Sequence, residues 1–515
     1  MKSFYITTSL PYVNAAPHVG FAMEAIEADA LARFLKQRGN SVRLQTGTDE
    51  HGLKIQKTAA ELKTTPKDLT DQNSQKFQNL KSALDFDFDD FIRTSDAKRH
   101  FPAAQKLWQK LAAAGKLEKR KYAAKYCSGC EEFKREKDLV DGKCPNHPNL
   151  DLEETEEENY FFKLSDFSQQ ILELLESKKV EILPHFRAKE FLNVVKDGLH
   201  DVSFSRSSEK LKWGVPVPGD ESQTMYVWCD ALTNYISAID FENEGSDFQK
   251  WWIASEKIHI IGKDIVRFHA GIWLGMLLAA ELPLPDKIYI HGFITSENQK
   301  MSKSLGNVVD PFAVSSEWGS DALRFYLLSE IPNGQDGDFS AARFVEVYNS
   351  QLANKLGNLV SRVVKMAMNF SEKWEMKNWG KDENLPAVEE INQMWFSLEN
   401  EIKTEFDFSN ALKAIFNLIE WTNEFITNEK PWTLSDQPEK QKEVLQMLLE
   451  TIRQIALALF PFLPKTAKEI GKILGVKIEG NVVLNYRFYN GFSGGCEFPS
   501  FMNLKKLEIL FPKKS

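Results

Sequence analysis

The order of apolar and polar positions predicts a strand, a helix and a second strand at the start of the chain. Residues 3–9 alternate as a strand does, and from Val19 onward apolar residues recur three and four positions apart. Pro17 suits the first turn of this helix, and Gly39 suits its end. A second apolar run follows at 41–48. Two strands joined by a helix in this order form a βαβ unit with parallel strands.

The same order returns in the second half of the chain. Residues 257–261 and 287–291 have the pattern of strands, and residues 264–280 between them have helical spacing. We therefore expect the two halves to share one doubly wound parallel sheet of the Rossmann type, a fold of the α/β class. The intervening residues 116–224 are then an insertion.

From about residue 344 onward the pattern is wholly helical. Apolar residues recur three and four positions apart in 352–368, 391–425 and 444–463, which predicts an all-α bundle. No low-complexity linker separates this part from the rest, so we expect the domains to contact one another closely. The predicted boundaries are a first catalytic half (1–115), an inserted connective domain (116–224), a second catalytic half (225–343) and a helical domain with a tail (344–515).

The composition is that of an ordinary globular protein. A hydrophobic content of 43% and a charged content of 27% exclude a largely disordered chain. The longest apolar stretch, 272–280, is far shorter than the roughly 18 residues of a membrane span, so we expect no membrane partner. The N-terminus has no sustained apolar segment, which predicts a cytoplasmic location. The net charge of −9 argues against non-specific coating of nucleic acid, and we expect no DNA partner.

Cysteine and histidine cluster in the insertion. Cys127 and Cys130 enclose two residues, and after thirteen more residues Cys144 and His147 enclose two again. Two such pairs have the spacing of a tetrahedral structural zinc knuckle, and four protein ligands leave no position for a catalytic water. The sequence predicts one structural Zn²⁺ per chain within the inserted domain, with buried thiols that bind no metal as the alternative.

Two short motifs on different halves of the sheet favour a nucleotide. The first is His18-Val19-Gly20-Phe21, predicted to lie at a helix N-terminus, where free amides and the helix dipole favour an anion. His18 can donate to a phosphate, and Gly20 lets a flat ring approach the backbone closely. The alternative is a histidine that only caps its helix.

The second motif is predicted to lie in a loop after the last strand of the sheet. Its residues are Lys300, Met301, Ser302, Lys303 and Ser304. Two lysines on a mobile loop can fold over a polyphosphate and neutralise charge as pyrophosphate leaves. A solvated basic loop is the alternative for this motif when it is taken alone.

With these two motifs the chain resembles the class I aminoacyl-tRNA synthetases, whose HIGH and KMSKS signatures bind ATP. KMSKS is matched in full, whereas Phe21 stands where the family has a second histidine. The resemblance implies that both motifs bind ATP with Mg²⁺, and that His18, Lys300 and Lys303 stabilise the charge that develops during the reaction. His51 is a candidate to compensate in part for the missing histidine.

Four further blocks narrow the resemblance to the methionyl-tRNA synthetases. They are SLPY at 9–12, TGTDEHG at 46–52, YVWCDA at 226–231 and IGKDIVRFH at 261–269. The similarity extends from Phe4 to about Leu463. It implies activation of L-methionine with ATP to methionyl-adenylate, followed by transfer to the 3′ end of methionine tRNA, both initiator and elongator.

The resemblance also implies a methionine pocket, in which Asp49 holds the substrate ammonium while Leu10 and Tyr235 meet the thioether sulfur. A carboxylate at the carboxyl end of a strand is well placed for an ammonium, and aromatic side chains suit a polarizable sulfur. Core packing is the alternative for Trp228 and Tyr235. Leu232 stands where the family usually has proline. The other pocket residues implied in this way are Ser9, Tyr12, Trp228, Ala231, Ile265 and His269.

Three residues of the helical part are candidates for binding tRNA. Asn358 and Arg362 are four positions apart and project from one face of a helix, and Trp432 lies between two helical patterns. The resemblance implies that they read the CAU anticodon by stacking and by contacts to base edges. Taken alone, such residues are more often a core residue and solvated ones. The family's frequent C-terminal tRNA-binding barrel, often a dimerisation element, has no room after about residue 480, which predicts a monomer.

Two rival interpretations remain open. The first is a synthetase for another amino acid, although this chain has no room for the editing insertion of leucyl, isoleucyl and valyl enzymes. A cysteinyl enzyme would need a metal-binding cysteine near Tyr12, where none occurs. The second is an RNA-binding protein without ATP turnover, suggested by Phe21.

Overall fold

A six-stranded parallel sheet forms the centre of the molecule. The structure is a computed structural model, and it describes residues 2–127, 132–134, 139–145, 147–302, 306–375, 386–478, 501–505 and 509–514. Within these ranges, no helix is both long enough and apolar enough to cross a membrane.

The first part of the chain supplies three strands of this sheet. Its elements are β1 (Ser3–Thr8), α1 (Val19–Gln37), β2 (Ser41–Thr48), α2 (Leu53–Glu61), α3 (Pro66–Leu84), β3 (Asp90–Arg93) and α4 (His100–Ala113). The predicted strand at 41–48 is confirmed at both ends. Gly39, with a φ of +76°, ends α1 as predicted, because it adopts the left-handed conformation there easily. The predicted helical position of Pro17 is wrong, because His18 is the N-cap residue and Pro17 precedes it.

The insertion builds a smaller sheet of its own. The elements of the insertion are β4 (Leu117–Cys127), β5 (Glu132–Lys134), β6 (Glu153–Phe162), α5 (Ser168–Glu176), β7 (Glu181–Leu183), α6 (His185–Lys196), β8 (Val202–Ser203), β9 (Ser205–Ser207) and β10 (Gln223–Met225). Strands β5, β4, β6 and β8 lie side by side in that order and pair antiparallel. The short β9 and β10 form a separate antiparallel pair.

The second half of the chain completes the central sheet. Its elements are α7 (Val227–Leu232), α8 (Asn234–Ser237), α9 (Ser246–Phe248), β11 (Glu256–Gly262), α10 (Leu274–Ala279), β12 (Lys287–His291), β13 (Ile294–Ser296), α11 (Pro311–Trp318), α12 (Ser320–Glu330) and β14 (Gly337–Phe339). The strand order is β3-β2-β1-β11-β12-β7, and all neighbours are parallel. Because β1 and β11 are neighbours, the prediction that both halves share one sheet is confirmed. The edge strand β7 comes from within 116–224.

The last part of the described chain is mostly helical. Its elements are α13 (Ala341–Val347), α14 (Asn358–Phe370), β15 (Lys373–Glu375), α15 (Pro386–Thr404), α16 (Phe408–Glu429), α17 (Pro438–Leu459), α18 (Pro464–Leu474) and β16 (Phe501–Asn503). Residues 348–357 connect α13 to α14 as a wider helical turn. The helical spacing predicted across 391–425 belongs to two helices, because the chain turns at 405–407 and Asp407 caps α16.

A buried arginine joins the helical part to α1, the helix between β1 and β2. Arg324 on α12 donates to the carbonyl oxygens of Phe462 at 2.6 Å and Pro461 at 3.0 Å, and it pairs with Asp29 of α1 at 2.7 Å. One apolar cluster continues from α1 through α12 into α14, α16 and α17. The predicted close contact between these parts of the chain is therefore confirmed.

Candidate active site

The candidate site lies where the order of the strands reverses. Strands β2 and β3 extend the sheet from one side of β1, whereas β11 and β12 extend it from the other. At such a switch point the loops after neighbouring parallel strands diverge and leave a crevice at their carboxyl ends. The loops after β1 and β2 meet there: Tyr12 and Asp49 form an isolated parallel bridge, with the Val13 amide donating to the Asp49 carbonyl at 3.2 Å.

The predicted pocket residues lie in the loops after β1, β2 and β11 and on the helices α7 and α8. Asp49 is buried, and it directly follows β2. Trp228 is half-buried and stacks on Phe268, with ring centroids 3.7 Å apart and planes 6° from parallel. The other predicted residues are Ser9 and Leu10 after β1, Ala231 on α7, Tyr235 on α8, and Ile265 and His269 after β11.

A fixed hydrogen-bond chain holds the aromatic side of the pocket. His269 Nδ1 lies 3.0 Å from the Ile265 carbonyl oxygen, and Tyr235 Oη lies 2.6 Å from His269 Nε2. Because a carbonyl only accepts, we assign the ring proton to Nδ1, and the Tyr235 hydroxyl then donates to Nε2. Burial lowers the pKa of His269 to about 4. The ring is therefore neutral at pH 7, and Tyr235 is fixed in one orientation.

Behind Tyr235 lies a second neutral histidine that the sequence patterns did not single out. His259 on β11 stacks on Tyr235 with centroids 4.2 Å apart, and its Nδ1 lies 2.6 Å from Thr7 Oγ1 on β1. Trp273 donates to its Nε2 at 3.2 Å. Burial, together with nearby positive charge, lowers the pKa of His259 well below its ordinary value. The only available sequence signal was a histidine inside an apolar strand, which does not separate a pocket layer from ordinary core.

His51 contacts a carboxylate in the interior of the protein. It is 1% exposed, and its Nδ1 lies 2.6 Å from Asp230 Oδ2 in the interior. This contact does not test the hypothesis that His51 compensates for Phe21, which stays a prediction. Phe21 packs edge to face on Phe77 of α3, with centroids 5.3 Å apart, so the residue in place of the second histidine joins two helices.

His18 caps α1 and still keeps one ring nitrogen for a ligand. The Gly20 amide donates to His18 Nδ1 at 3.0 Å, so the ring proton belongs on Nε2. The surrounding protein lowers the pKa of His18, although the side chain is exposed at the surface, and the ring is neutral at pH 7. Glycine at position 20 makes this cap possible, because a Cβ there would lie 2.8 Å from His18 Cε1. The capping role and a donor role for Nε2 are thus compatible.

The first nucleotide motif contacts the segment of chain that follows the second motif. The Val19 amide in the first turn of α1 donates to the Val309 carbonyl at 3.2 Å, five residues beyond Ser304, the last residue of the second motif. Lys300 is exposed, and Met301 packs against the apolar cluster that includes α1.

One asparagine side chain braces the second motif. The Ser302 amide donates to Asn307 Oδ1 at 2.8 Å, and Asn307 Nδ2 donates to the Lys300 carbonyl at 3.2 Å. Lys303 and Ser304 lie outside the described residues, and their roles stay predictions.

A charged histidine supports the loop that follows β1. The Ser9 amide and hydroxyl donate to Glu24 Oε1 at 2.8 and 2.7 Å, and His291 Nε2 lies 2.8 Å from Glu24 Oε2. Burial alone would lower the pKa of His291, but the hydrogen bond and charge of Glu24 outweigh it and raise the pKa to about 9. A buried ion pair between α1 and the end of β12 thus fixes the first residue of the pocket loop.

Three of the four predicted zinc ligands lie together. The ligand atoms of Cys127, Cys144 and His147 are all within 4.8 Å of one another, and His147 Nδ1 is 3.7 Å from Cys127 Sγ and 4.0 Å from Cys144 Sγ. Tetrahedral zinc with bonds of about 2.0 to 2.3 Å places neighbouring ligands about 3.5 to 3.8 Å apart, so this group fits such an ion. Cys130 lies outside the described residues.

Two of the three candidate tRNA contacts are neighbours on the helical part. The guanidinium carbon of Arg362 lies 5.9 Å from the ring centroid of Trp432, whose side chain is 50% exposed. Asn358 is exposed at the start of α14, one turn before Arg362. An exposed ring beside a guanidinium is able to stack an unpaired base, and a role in reading the anticodon stays a prediction.

Comparison with known proteins identifies the family. The sequence matches the family "tRNA synthetases class I (M)" over residues 4–156 and 149–364. It is 41% identical over 491 residues to the methionine–tRNA ligase of a Nostoc species, covering 93% of this chain and 91% of the relative. It is 39% identical over 522 residues to that of Rickettsia conorii, covering 99% of both chains.

A solved structure has the same fold over nearly the whole chain. The Mycobacterium tuberculosis methionyl-tRNA synthetase in complex with methionyl-adenylate matches with a TM-score of 0.89 and 35% identity, covering 99% of this chain and 100% of that chain. The apo form of the same enzyme matches with a TM-score of 0.83 and 33% identity, covering 100% and 99%. On this evidence the chain belongs to the methionyl-tRNA synthetases, a family of class I aminoacyl-tRNA synthetases.

Proposed function

We propose that the crevice at the β1/β11 switch point activates L-methionine with ATP and then transfers the methionyl group to the 3′ end of methionine tRNA, both initiator and elongator. One observation carries this proposal. The Tyr12–Asp49 bridge on the methionine side and the Val19–Val309 hydrogen bond on the nucleotide side both lie at the loops after β1. We therefore assign adjacent places to the two substrates, which must react with each other.

In the methionine half, Asp49 holds the ammonium and the aromatic slot takes the thioether side chain. Leu10 and Tyr235 meet the sulfur, and the other pocket residues shape the walls. Each contact between sulfur and an aromatic ring is worth about 0.3 to 1.5 kcal/mol, and one methylene is worth about 1 to 3 kcal/mol. A rigid, uncharged slot is therefore what discrimination between amino-acid side chains requires.

In the nucleotide half, the protein supplies position and charge. The methionine carboxylate attacks the α-phosphorus of ATP in line, a new C–O–P linkage forms, and the bond to pyrophosphate breaks. His18 donates from Nε2, and Lys300 and Lys303 neutralise charge on the departing pyrophosphate. Bound Mg²⁺ neutralises phosphate charge. Attack by an ionised carboxylate needs no dedicated base, so orientation supplies much of the rate.

The remaining parts have supporting roles. The segments 1–115 and 225–343 form the catalytic domain, and 116–224 is a connective insertion whose Cys127, Cys130, Cys144 and His147 hold one structural Zn²⁺. The helical domain and tail, 344–515, bind the CAU anticodon through Asn358, Arg362 and Trp432. The protein works as a cytoplasmic monomer. Elemental analysis that finds about one zinc per chain is the expected result for the insertion.

The deciding experiment is ATP–pyrophosphate exchange with a panel of amino acids. We expect exchange with methionine and none of comparable efficiency with leucine, isoleucine, valine or cysteine. A different preferred amino acid would identify a synthetase of another specificity. Binding of tRNA without any exchange would favour the RNA-binding interpretation instead.

A further inference from the structure

We infer that Asp230 is a positioning residue that fixes the ammonium-binding side of the methionine pocket to its aromatic wall. This inference rests on the proposed methionine site and adds a residue that touches no substrate. Asp230 lies on α7 between Trp228 and Ala231, two of the predicted wall residues, and its side chain is 0% exposed. Asp230 therefore belongs to the helix that carries the wall residues, but its side chain lies in the interior of the protein.

Each carboxylate oxygen of Asp230 engages a different histidine. Oδ2 lies 2.6 Å from His51 Nδ1, and Oδ1 lies 2.6 Å from His100 Nε2 at the start of α4. His100 Nδ1 in turn lies 2.9 Å from Ser237 Oγ at the end of α8, the helix that carries Tyr235. The two histidines outweigh the effect of burial and lower the pKa of Asp230, so the carboxylate is ionised. One buried charge thus joins α7 directly to the loop after β2 and, through His100, to α8.

His51 is the link to the substrate side, because it is two residues after Asp49. The residue between them, Glu50, is 0% exposed and accepts two hydrogen bonds from Arg93 at 2.7 and 2.9 Å. Glu50 therefore fixes this loop to the end of β3, within the sheet. The contact between His51 and Asp230 fixes the same loop to the pocket wall. Together they hold Asp49 in place relative to the aromatic slot.

This arrangement explains why a fully buried charge is present. Hydrogen bonds to a charged group are short and directional, and their loss leaves buried polar atoms unpaired. They therefore set a separation between two elements more sharply than apolar contacts do. Methionine must satisfy an ammonium contact and a sulfur contact at once, so the distance between the two sides decides how well it fits.

The test is Asp230→Asn in the full-length protein, measured by ATP–pyrophosphate exchange. Asparagine keeps the size, but its amide nitrogen cannot accept from a histidine. We expect the KM for methionine to rise at least about tenfold, while the KM for ATP stays within about twofold. The matched control is Asp321→Asn. That aspartate is also buried, at 5% exposed, and accepts from the Thr466 amide at 2.6 Å, between helices outside the predicted pocket. The control should leave both KM values unchanged.

Two competitive inhibitors separate positioning of Asp49 from a general disturbance of the wall. Methioninol keeps the ammonium, and 4-(methylthio)butanoate lacks it. In Asp230→Asn we expect the inhibition constant of methioninol to rise at least about tenfold and that of 4-(methylthio)butanoate to change less than about twofold. Equal weakening of both inhibitors, or of neither, would overturn the inference.

A second variant carries the test if circular dichroism finds that Asp230→Asn does not fold. His51→Gln removes the link to the loop and leaves the contact between Asp230 and His100. His51→Gln should raise the KM for methionine, and it should weaken inhibition by methioninol but not by 4-(methylthio)butanoate. An unchanged KM for methionine would refute the inference. The proposed function has a separate criterion, since its failure would appear as a wild-type protein without methionine-dependent exchange.

Discussion

The two ends of the crevice are built in opposite ways. At the proposed methionine end Asp49, Tyr235 and His269 are 6%, 1% and 1% exposed, and the last two hold each other by a hydrogen bond. At the proposed nucleotide end His18 and Lys300 are exposed. A side chain that differs from its competitors by a methylene needs fixed walls, whereas a triphosphate that must enter and leave as pyrophosphate needs groups that can move. In the proposed site, the rigid side chains therefore lie where discrimination between amino acids is required.

Histidine illustrates the same contrast. Burial lowers the pKa of His269 to about 4 and keeps that ring neutral, whereas Glu24 raises the pKa of the equally enclosed His291 to about 9. His18, at the surface, is neutral and uses one nitrogen to cap a helix. The three side chains are all histidines, so the partner of each ring determines whether that ring is charged. The predictions below test the two ends separately.

The largest effect should come from Asp49→Asn, which tests the rigid end. Loss of a charged partner for a buried ammonium costs about 1.5 to 3 kcal/mol, so we expect the KM for methionine to rise by about 10- to 150-fold. The KM for ATP should change little. Pyrophosphate exchange at varied concentrations of each substrate provides both values. An equal rise in the two KM values would show that the ends are not independent.

The next effect concerns His291 and the stability of the rigid end. Its raised pKa means that its stabilising contribution is complete below pH 6.5 and is lost as the pH rises through about 9. The free energy of unfolding should therefore fall by about 2 kcal/mol more between pH 7 and pH 9.5 in the wild type than in His291→Gln. Urea unfolding at the two pH values measures the difference. Parallel pH profiles of the two proteins would contradict a charged His291 beside Glu24.

A pair of variants at His18 tests the exposed end. Asparagine is a good N-cap residue, whereas alanine is not, and neither offers the Nε2 donor. Adenylate formation should slow about tenfold in both variants, a loss of about 1.4 kcal/mol. Only His18→Ala should also lower the free energy of unfolding, by about 1 kcal/mol. Rapid-quench measurement of adenylate and urea unfolding separate the two roles. A normal rate of adenylate formation in His18→Asn would show that His18 only caps the helix.

The sheet could be predicted from the sequence because the buried strands of a parallel sheet are short apolar runs. The strands at 41–48 and 287–291 have the predicted ends, and β1 and β11 are neighbours as expected. The edge strand β7 has only three residues, too few for a periodic pattern, and its partner strand lies a hundred residues further along the chain. The helix predicted at 264–280 includes a wider turn at 268–273, which carries His269 and the Phe268 ring that stacks on Trp228.

The site was less predictable because a residue's type does not report its partner. His51 follows Asp49 in a polar block and looks available for a ligand, yet its partner is a carboxylate 179 residues away. Gly20 looks like a place for a flat ring, yet the structure gives it a nearer role in making room for the ring of His18. Such pairings depend on long-range packing, which local patterns do not contain.

The smallest effect should come from a third region, outside both ends of the crevice. Trp432→Ala removes an exposed ring beside Arg362, and loss of one stacked base costs about 1 kcal/mol at an exposed site. The KM for methionine tRNA in aminoacylation should therefore rise about fivefold, with pyrophosphate exchange unchanged. Phe396→Ala is the matched control, because Phe396 is 49% exposed on α15 in the same part of the chain. If both variants raise the KM for methionine tRNA equally, the ring of Trp432 contributes no specific contact. If Trp432→Ala instead alters pyrophosphate exchange, the helical part influences the activation of methionine as well as the binding of tRNA.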